Sequence, residues 1–218
     1  PRGSTIGVIG GTGSGKSTLV QLIPRLYDAT EGSVKVFGAD VKQYRLRELR
    51  GRIGVAPQRA ALFRGTIREN LQWGKPGATD EEITRALTVA QAAEFVFASP
   101  EGLDRHIEQG GRNLSGGQRQ RLTIARALVG EPDILILDDS ASALDYATEA
   151  QLRRAIRENT RDMTVFIVSQ RVSSIRQADA ILVLDDARLA GVGTHEALMR
   201  DCAVYREIAL SQEKEAKA

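Results

Sequence analysis

Apolar positions change period several times along the chain, and each change marks an element. Thr5-Ile6-Gly7-Val8-Ile9 is a short apolar run that reads as a buried strand. Leu19, Leu22, Ile23 and Leu26 then recur at helical spacing. Ser33 to Phe37 alternates polar and apolar residues, the mark of a half-buried strand. A short helix is expected over Leu46 to Arg50, and a strand over Ile53 to Ala56 that Pro57 stops. From residue 66 to about 130 strand signals vanish and helical ones take over. Thr79-Asp80-Glu81-Glu82 is a capping box ahead of the stripe Ile83, Leu87 and Ala90. Ser115 caps a second run, with Leu122, Ala125, Arg126 and Val129 on one face and Gly130 and Pro132 at its end. Ile134 to Leu137 is a continuous apolar strand of the kind buried on both faces, and it ends in Asp138-Asp139. A helix over residues 148–159, strands over 165–168 and 180–184, and two helices across 194–212 complete the pattern; Glu213 to Ala218 is polar and expected to fray.

Strands alternating with helices imply an α/β fold with a mostly parallel sheet and helices on both faces. The whole chain, 1–218, reads as one domain: an α/β core from residues 1–65 and 131–218, interrupted by a helical subdomain over 66–130. At 42% apolar and 27% charged residues, composition is ordinary for a folded domain. The net charge of +2 gives no argument for nucleic acid. Cys202 stands alone, so no internal disulfide forms, which suits a reducing compartment. The chain starts almost on a core strand and no run reaches the roughly 18 apolar residues of a membrane span, so it is expected to be part of something longer.

Chemistry enters at the first strand-to-helix junction. Gly10, Gly11, Thr12, Gly13, Ser14, Gly15, Lys16, Ser17 and Thr18 satisfy the phosphate-binding pattern G-x-x-x-x-G-K-S/T in the context it needs. Its glycines let backbone N–H groups converge on phosphate oxygens, and Lys16 adds a full charge at the β- and γ-phosphates. The Ser17 hydroxyl is a Mg²⁺ ligand in such loops, and Asp138, at the end of an apolar strand, would face that Mg²⁺ directly or through water. A P-loop NTPase core is the expected fold, although phosphate binding alone does not name a function, since many kinases and NTPases share this loop.

Leu114-Ser115-Gly116-Gly117-Gln118 is a second place where a hydroxyl and glycines meet a helix start, and so a second anion cradle. A chain that binds one nucleotide does not obviously need two. Dimerisation resolves this: Ser115, Gly116, Gly117 and Gln118 close on the nucleotide of a partner.

Together the loop at 10–18, Gln58, residues 114–118, Ile134 to Asp139 and Ser142-Ala143-Leu144-Asp145 resemble, in order, the nucleotide-binding domain of ATP-binding cassette (ABC) transporters. Leu26-Tyr27-Asp28 and Leu62 to Asn70 look like exporter-type members. The resemblance implies an ABC ATPase fold that binds ATP and Mg²⁺ and hydrolyses ATP. It implies a head-to-tail homo- or heterodimer with a second nucleotide-binding domain, membrane-spanning domains as partners, no nucleic acid, and a place at the cytoplasmic face of the membrane. Gln58 would touch Mg²⁺ and the attacking water, its loop facing the membrane domain, and residues 142–145 would cross the dimer interface.

Three departures from the family stand out. Its adenine-stacking aromatic residue precedes the phosphate loop by more than this chain contains, so the first strands are expected to lie outside it. The family's catalytic Glu is Asp139 here, one methylene shorter, and its switch His is Gln170, which cannot carry charge. A site that binds ATP and hydrolyses it slowly, or a regulatory module that only holds ATP, is the expectation. A soluble ABC ATPase for DNA repair or translation is the other alternative. His106 and His195 match no family position and read as surface residues.

Overall fold

Thr5–Gly10 is a strand because its apolar side chains can be buried: Val8 and Ile9 expose nothing. In the computed structural model, which describes residues 2–160 and 162–215, this strand pairs in parallel with Thr164–Val168 on one side and Ala180–Asp185 on the other. Arg188–Gly193 runs antiparallel outside Ala180–Asp185. These strands belong to one of two compact units, Pro1–Arg50 with Thr164–Ala218; the other is Gly51–Met163. The segment 66–130, expected to be helical, lies wholly within the second unit.

In the first unit, Ile9, Ile181 and Val183 pack with Val172, Ile175, Leu198 and Tyr205, so the helices Val172–Ile175, His195–Asp201 and Ala203–Glu215 cover the strands. His195 is not the surface residue expected from sequence. It is buried, with Nδ1 2.8 Å from the Tyr205 hydroxyl. A buried tyrosine hydroxyl needs a partner, and desolvation pushes the Tyr205 phenol up to about 12. His106 is exposed as expected. The helix after the phosphate loop is shorter than its apolar spacing suggests, Lys16–Gln21, because Pro24 removes an N–H and disfavours helical backbone at Ile23. Only Lys35–Val36 of the expected strand at 33–37 is paired, because the chain turns back at once through Phe37 and Gly38, both at positive φ.

In the second unit, Ile53–Ala56 and the fully buried Ile134–Asp138 are parallel neighbours, Ala56 opposite Leu137. Gly116–Leu128 packs directly on the first of these: a Cβ on Gly54 would lie 2.2 Å from the Ala127 carbonyl oxygen. Gly54→Ala must therefore push strand and helix apart, and overpacking of this kind costs about 1–3 kcal/mol, occasionally more. A denaturant melt should show that loss; unchanged stability would mean the two elements separate freely. The helices Ile67–Gln72, Asp80–Val89 and Gly116–Leu128 all start with a capping box, from Thr66, Thr79 and Ser115. Contrary to expectation, the segment is not free of strands: Gly65–Thr66 pairs antiparallel with His106–Ile107.

Candidate active site

The phosphate loop is shaped from both ends. A Cβ on Gly10 would lie 2.1 Å from the Leu184 carbonyl oxygen, so only glycine lets the strand pass its neighbour there. Gly15, at φ 86°, sits in the left-handed region and starts the helix, its carbonyl accepting from the Leu19 N–H. Lys16 is buried, and its Nζ donates to the carbonyls of Gly10 (2.9 Å) and Gly11 (2.7 Å), with Ser14 Oγ at 3.5 Å. The ammonium is thus held inside the curl of residues 10–16, with Ser17 and Thr18 following on the helix.

Gln170 lies just past the end of Thr164–Val168, the strand beside Thr5–Gly10. Both sites leave the C-terminal ends of adjacent parallel strands, where ligands bind in α/β sheets. Its side chain is exposed, while its carbonyl accepts from Gln212 Nε2 at 2.6 Å. Gln212 Oε1 accepts from the Val172 N–H at 2.8 Å. The last helix therefore clamps the backbone around Gln170, a role for Gln212 that no motif signalled.

In the second unit, Asp138 ends its strand and is buried. Asp139 turns out of the strand at φ 47°, a left-handed conformation that costs a non-glycine residue energy and concentrates at functional sites. Its carbonyl accepts from the Ser142 N–H (3.3 Å) and hydroxyl (2.9 Å), which fixes the turn. Its carboxylate Oδ2 accepts from Gln58 Nε2 at 3.2 Å. The structure thus brings together two residues far apart in sequence, both expected at the site. Asp145 caps the helix Tyr146–Asn159, accepting from the Thr148 N–H and hydroxyl, and these bonds hold its carboxyl below the usual range.

Ser115 is exposed at the start of Gly116–Leu128. Its hydroxyl accepts from the Gln118 N–H, and Gln118 Oε1 accepts from the Ser115 N–H. Gln118 is thereby explained locally, as the far half of a capping box, which the sequence reading did not foresee. A Cβ on Gly117 would meet Leu144 Cδ2 at 3.4 Å, so this helix start packs against the 142–145 turn. The first-turn amides of Gly116 and Gly117 belong to the set that a helix cannot satisfy internally.

The protein-family model described as "ABC transporter" matches residues 1–142. An uncharacterized ABC transporter ATP-binding protein of Mycobacterium bovis is 47% identical over 213 residues, covering 96% of this chain and 36% of that protein. A multidrug efflux ATP-binding/permease protein, also of Mycobacterium bovis, is 44% identical over 206 residues, covering 94% of this chain and 17% of that protein. A solved structure of a bacterial Atm1-family ABC exporter with ATP bound superposes with a TM-score of 0.93 at 38% identity, covering 97% of this chain and 37% of that one. The chain thus spans between 17% and 37% of the length of these relatives. A family model over most of the chain and this structural likeness agree with the loop, strand-end acids and capped glycine helix: the chain belongs to the ABC transporter family and has its α/β ATPase fold.

Proposed function

We propose that this chain is the ATP-hydrolysing motor of an exporter, working as a head-to-tail dimer and moving a substrate through membrane domains carried elsewhere on the protein or on another chain. The observation that carries this is Asp139 held by Gln58 at the end of a buried strand, in a chain that also has a fully formed phosphate loop. Gly10 to Thr18 would cradle the ATP phosphates, with Lys16 turning its ammonium to the β- and γ-oxygens. Ser17, Asp138 and Gln58, the ligands the family resemblance implies, would offer Mg²⁺ the hard oxygens it takes beside phosphate and water. Bound there, Mg²⁺ would neutralise charge on the β- and γ-phosphates. Asp139 is the base toward the attacking water and Gln170 the γ-phosphate contact. Ser115, Gly116, Gly117 and Gln118 serve the partner's nucleotide.

The membrane domains are supported by relatives named as ATP-binding/permease proteins and by the chain's share of their length. No helix among the described residues is long and apolar enough to cross a membrane. Phe63 and Trp73, exposed and with ring centroids 5.1 Å apart, follow the Gln58 segment and offer an apolar face to such domains at the cytoplasmic side. The resemblance assigns Asp139 and Gln170 to hydrolysis of the same ATP, and both depart from the family's residues, which favours slow hydrolysis beside an intact glycine helix. A heteromer, whose other chain carries Glu and His, uses that combination best. A second reading, an ATP-holding regulatory module, draws on the same two residues.

Turnover with excess MgATP separates the two readings. Sedimentation with MgATP under hydrolysis-blocking conditions should show a nucleotide-dependent dimer, weak without membrane domains to offset the entropy of association. A strictly monomeric species at high protein concentration counts against the head-to-tail arrangement.

A further inference from the structure

We propose that Gln120 is a positioning residue for hydrolysis: it fixes the segment that carries Gln58, and through Gln58 the Asp139 carboxylate. The proposal rests on reading Asp139 as the base. Gln120 lies one turn beyond Ser115 in Gly116–Leu128 and is 3% exposed. A buried amide has to find partners, and its Nε2 donates to the Pro57 carbonyl at 3.3 Å. Pro57 directly follows the strand Ile53–Ala56 and has no N–H, so it cannot donate to the strand ladder at this point. The bond from Gln120 holds its carbonyl, one residue before Gln58.

Sheet register makes that bond matter. Ala56 stands opposite Leu137, so two steps further on each chain Gln58 and Asp139 leave neighbouring parallel strands side by side. The Gln58 amide then reaches Asp139 Oδ2 at 3.2 Å. Asp139 has its backbone fixed in a left-handed turn by Ser142, which leaves its carboxylate as the part to be placed. A base one methylene short has little tolerance for a wandering partner. The helix lies directly against this strand, because Gly54 comes too close to the Ala127 carbonyl for any side chain between them. Helix, Pro57, Gln58 and Asp139 therefore form one hydrogen-bonded chain. Its far end is the Ser115 helix start, so a displacement there when a partner's nucleotide is engaged reaches this chain's own base.

Gln120→Met keeps length and apolar bulk and removes only the donor. In the purified chain, kcat for ATP should fall roughly three- to tenfold, the worth of one hydrogen bond, with the ATP dissociation constant within about twofold of wild type. Combined with Gln58→Ala it should add almost nothing to the loss from Gln58→Ala alone, because both act through the same amide. In ligand-free protein, deuterium exchange over residues 58–61 should quicken. Wild-type kcat in Gln120→Met, a double variant as poor as the product of the two singles, or ATP affinity falling in step with kcat each overturns the role. Gln120→Leu repeats the test should Gln120→Met fail to fold. Asp139→Asn with wild-type turnover would remove the base reading itself, whereas an inactive Asp139→Asn beside a wild-type Gln120→Met removes only the positioning role.

Discussion

Lys16→Ala is expected to weaken ATP binding by roughly 10² to 10⁴-fold, from the loss of about two charge-assisted hydrogen bonds. The ammonium is buried in the curl of its own loop, donating to the carbonyls of Gly10 and Gly11. It is thus already desolvated and confined beside the place where phosphate oxygens would arrive, and no flexible surface lysine could substitute at equal strength. The same geometry gives a second consequence. Without Lys16 the carbonyl of buried Gly10 loses a donor, and an unsatisfied buried polar group costs about 1–3 kcal/mol. The unfolding temperature of Lys16→Ala should therefore drop even with no nucleotide present, and MgATP should raise it by less than it raises that of wild type. An equilibrium titration with a fluorescent ATP analogue measures the first effect. Affinity within about twofold of wild type would show that the ammonium does not face the phosphates.

The elements that sequence made legible are those where local and global preferences agree. Ile134 to Leu137 is apolar at every position and becomes a strand buried throughout. Thr79 and Glu82 close their capping box as spaced, because that interaction needs only four consecutive residues. Where tertiary pairing decides, the local pattern is silent. Arg188–Gly193 carries two glycines and leaves Leu189 and Val192 exposed, so no alternation marks it as a strand. Asp186 and Ala187, which turn the chain into it, both have positive φ without a glycine to signal the hairpin. His195 shows the same limit: nothing beside it in sequence announces Tyr205, ten residues on, as its buried partner. At the candidate site, motifs named Gln58 and Asp139 separately. Their hydrogen bond follows only from sheet register, which one sequence does not display. Gln120 and Gln212 were silent for the same reason, since each acts on a main-chain carbonyl distant in sequence.

Asp139→Glu should raise this chain's own ATP hydrolysis, and Asp139→Asn should remove it. The backbone at Asp139 is pinned at φ 47° by the Ser142 N–H and hydroxyl, so an added methylene displaces the carboxylate and not the turn. The carboxylate now ends at Gln58 Nε2, 3.2 Å away; a glutamate can keep that partner and still extend beyond it toward the attacking water. General-base catalysis is worth roughly 10² to 10⁴-fold, which bounds both the loss in Asp139→Asn and the gain available to Asp139→Glu. Gln170→His should add to the gain by restoring a side chain able to carry charge at the γ-phosphate contact, with its backbone already clamped by Gln212. The two changes act on one transition state, so their combined effect should differ from the product of the singles. Binding offers a control at Asp139, because neither substitution there touches the Gly10 to Thr18 loop: ATP affinity should stay near wild type in Asp139→Glu and Asp139→Asn while turnover moves. Brisk hydrolysis by the wild-type chain alone, abolished by Asp139→Asn and not raised by Asp139→Glu, would instead mark Asp139 as a competent base whose short reach the Gln58 bond already corrects, and the slow-site reading would fall while the ATPase reading stands.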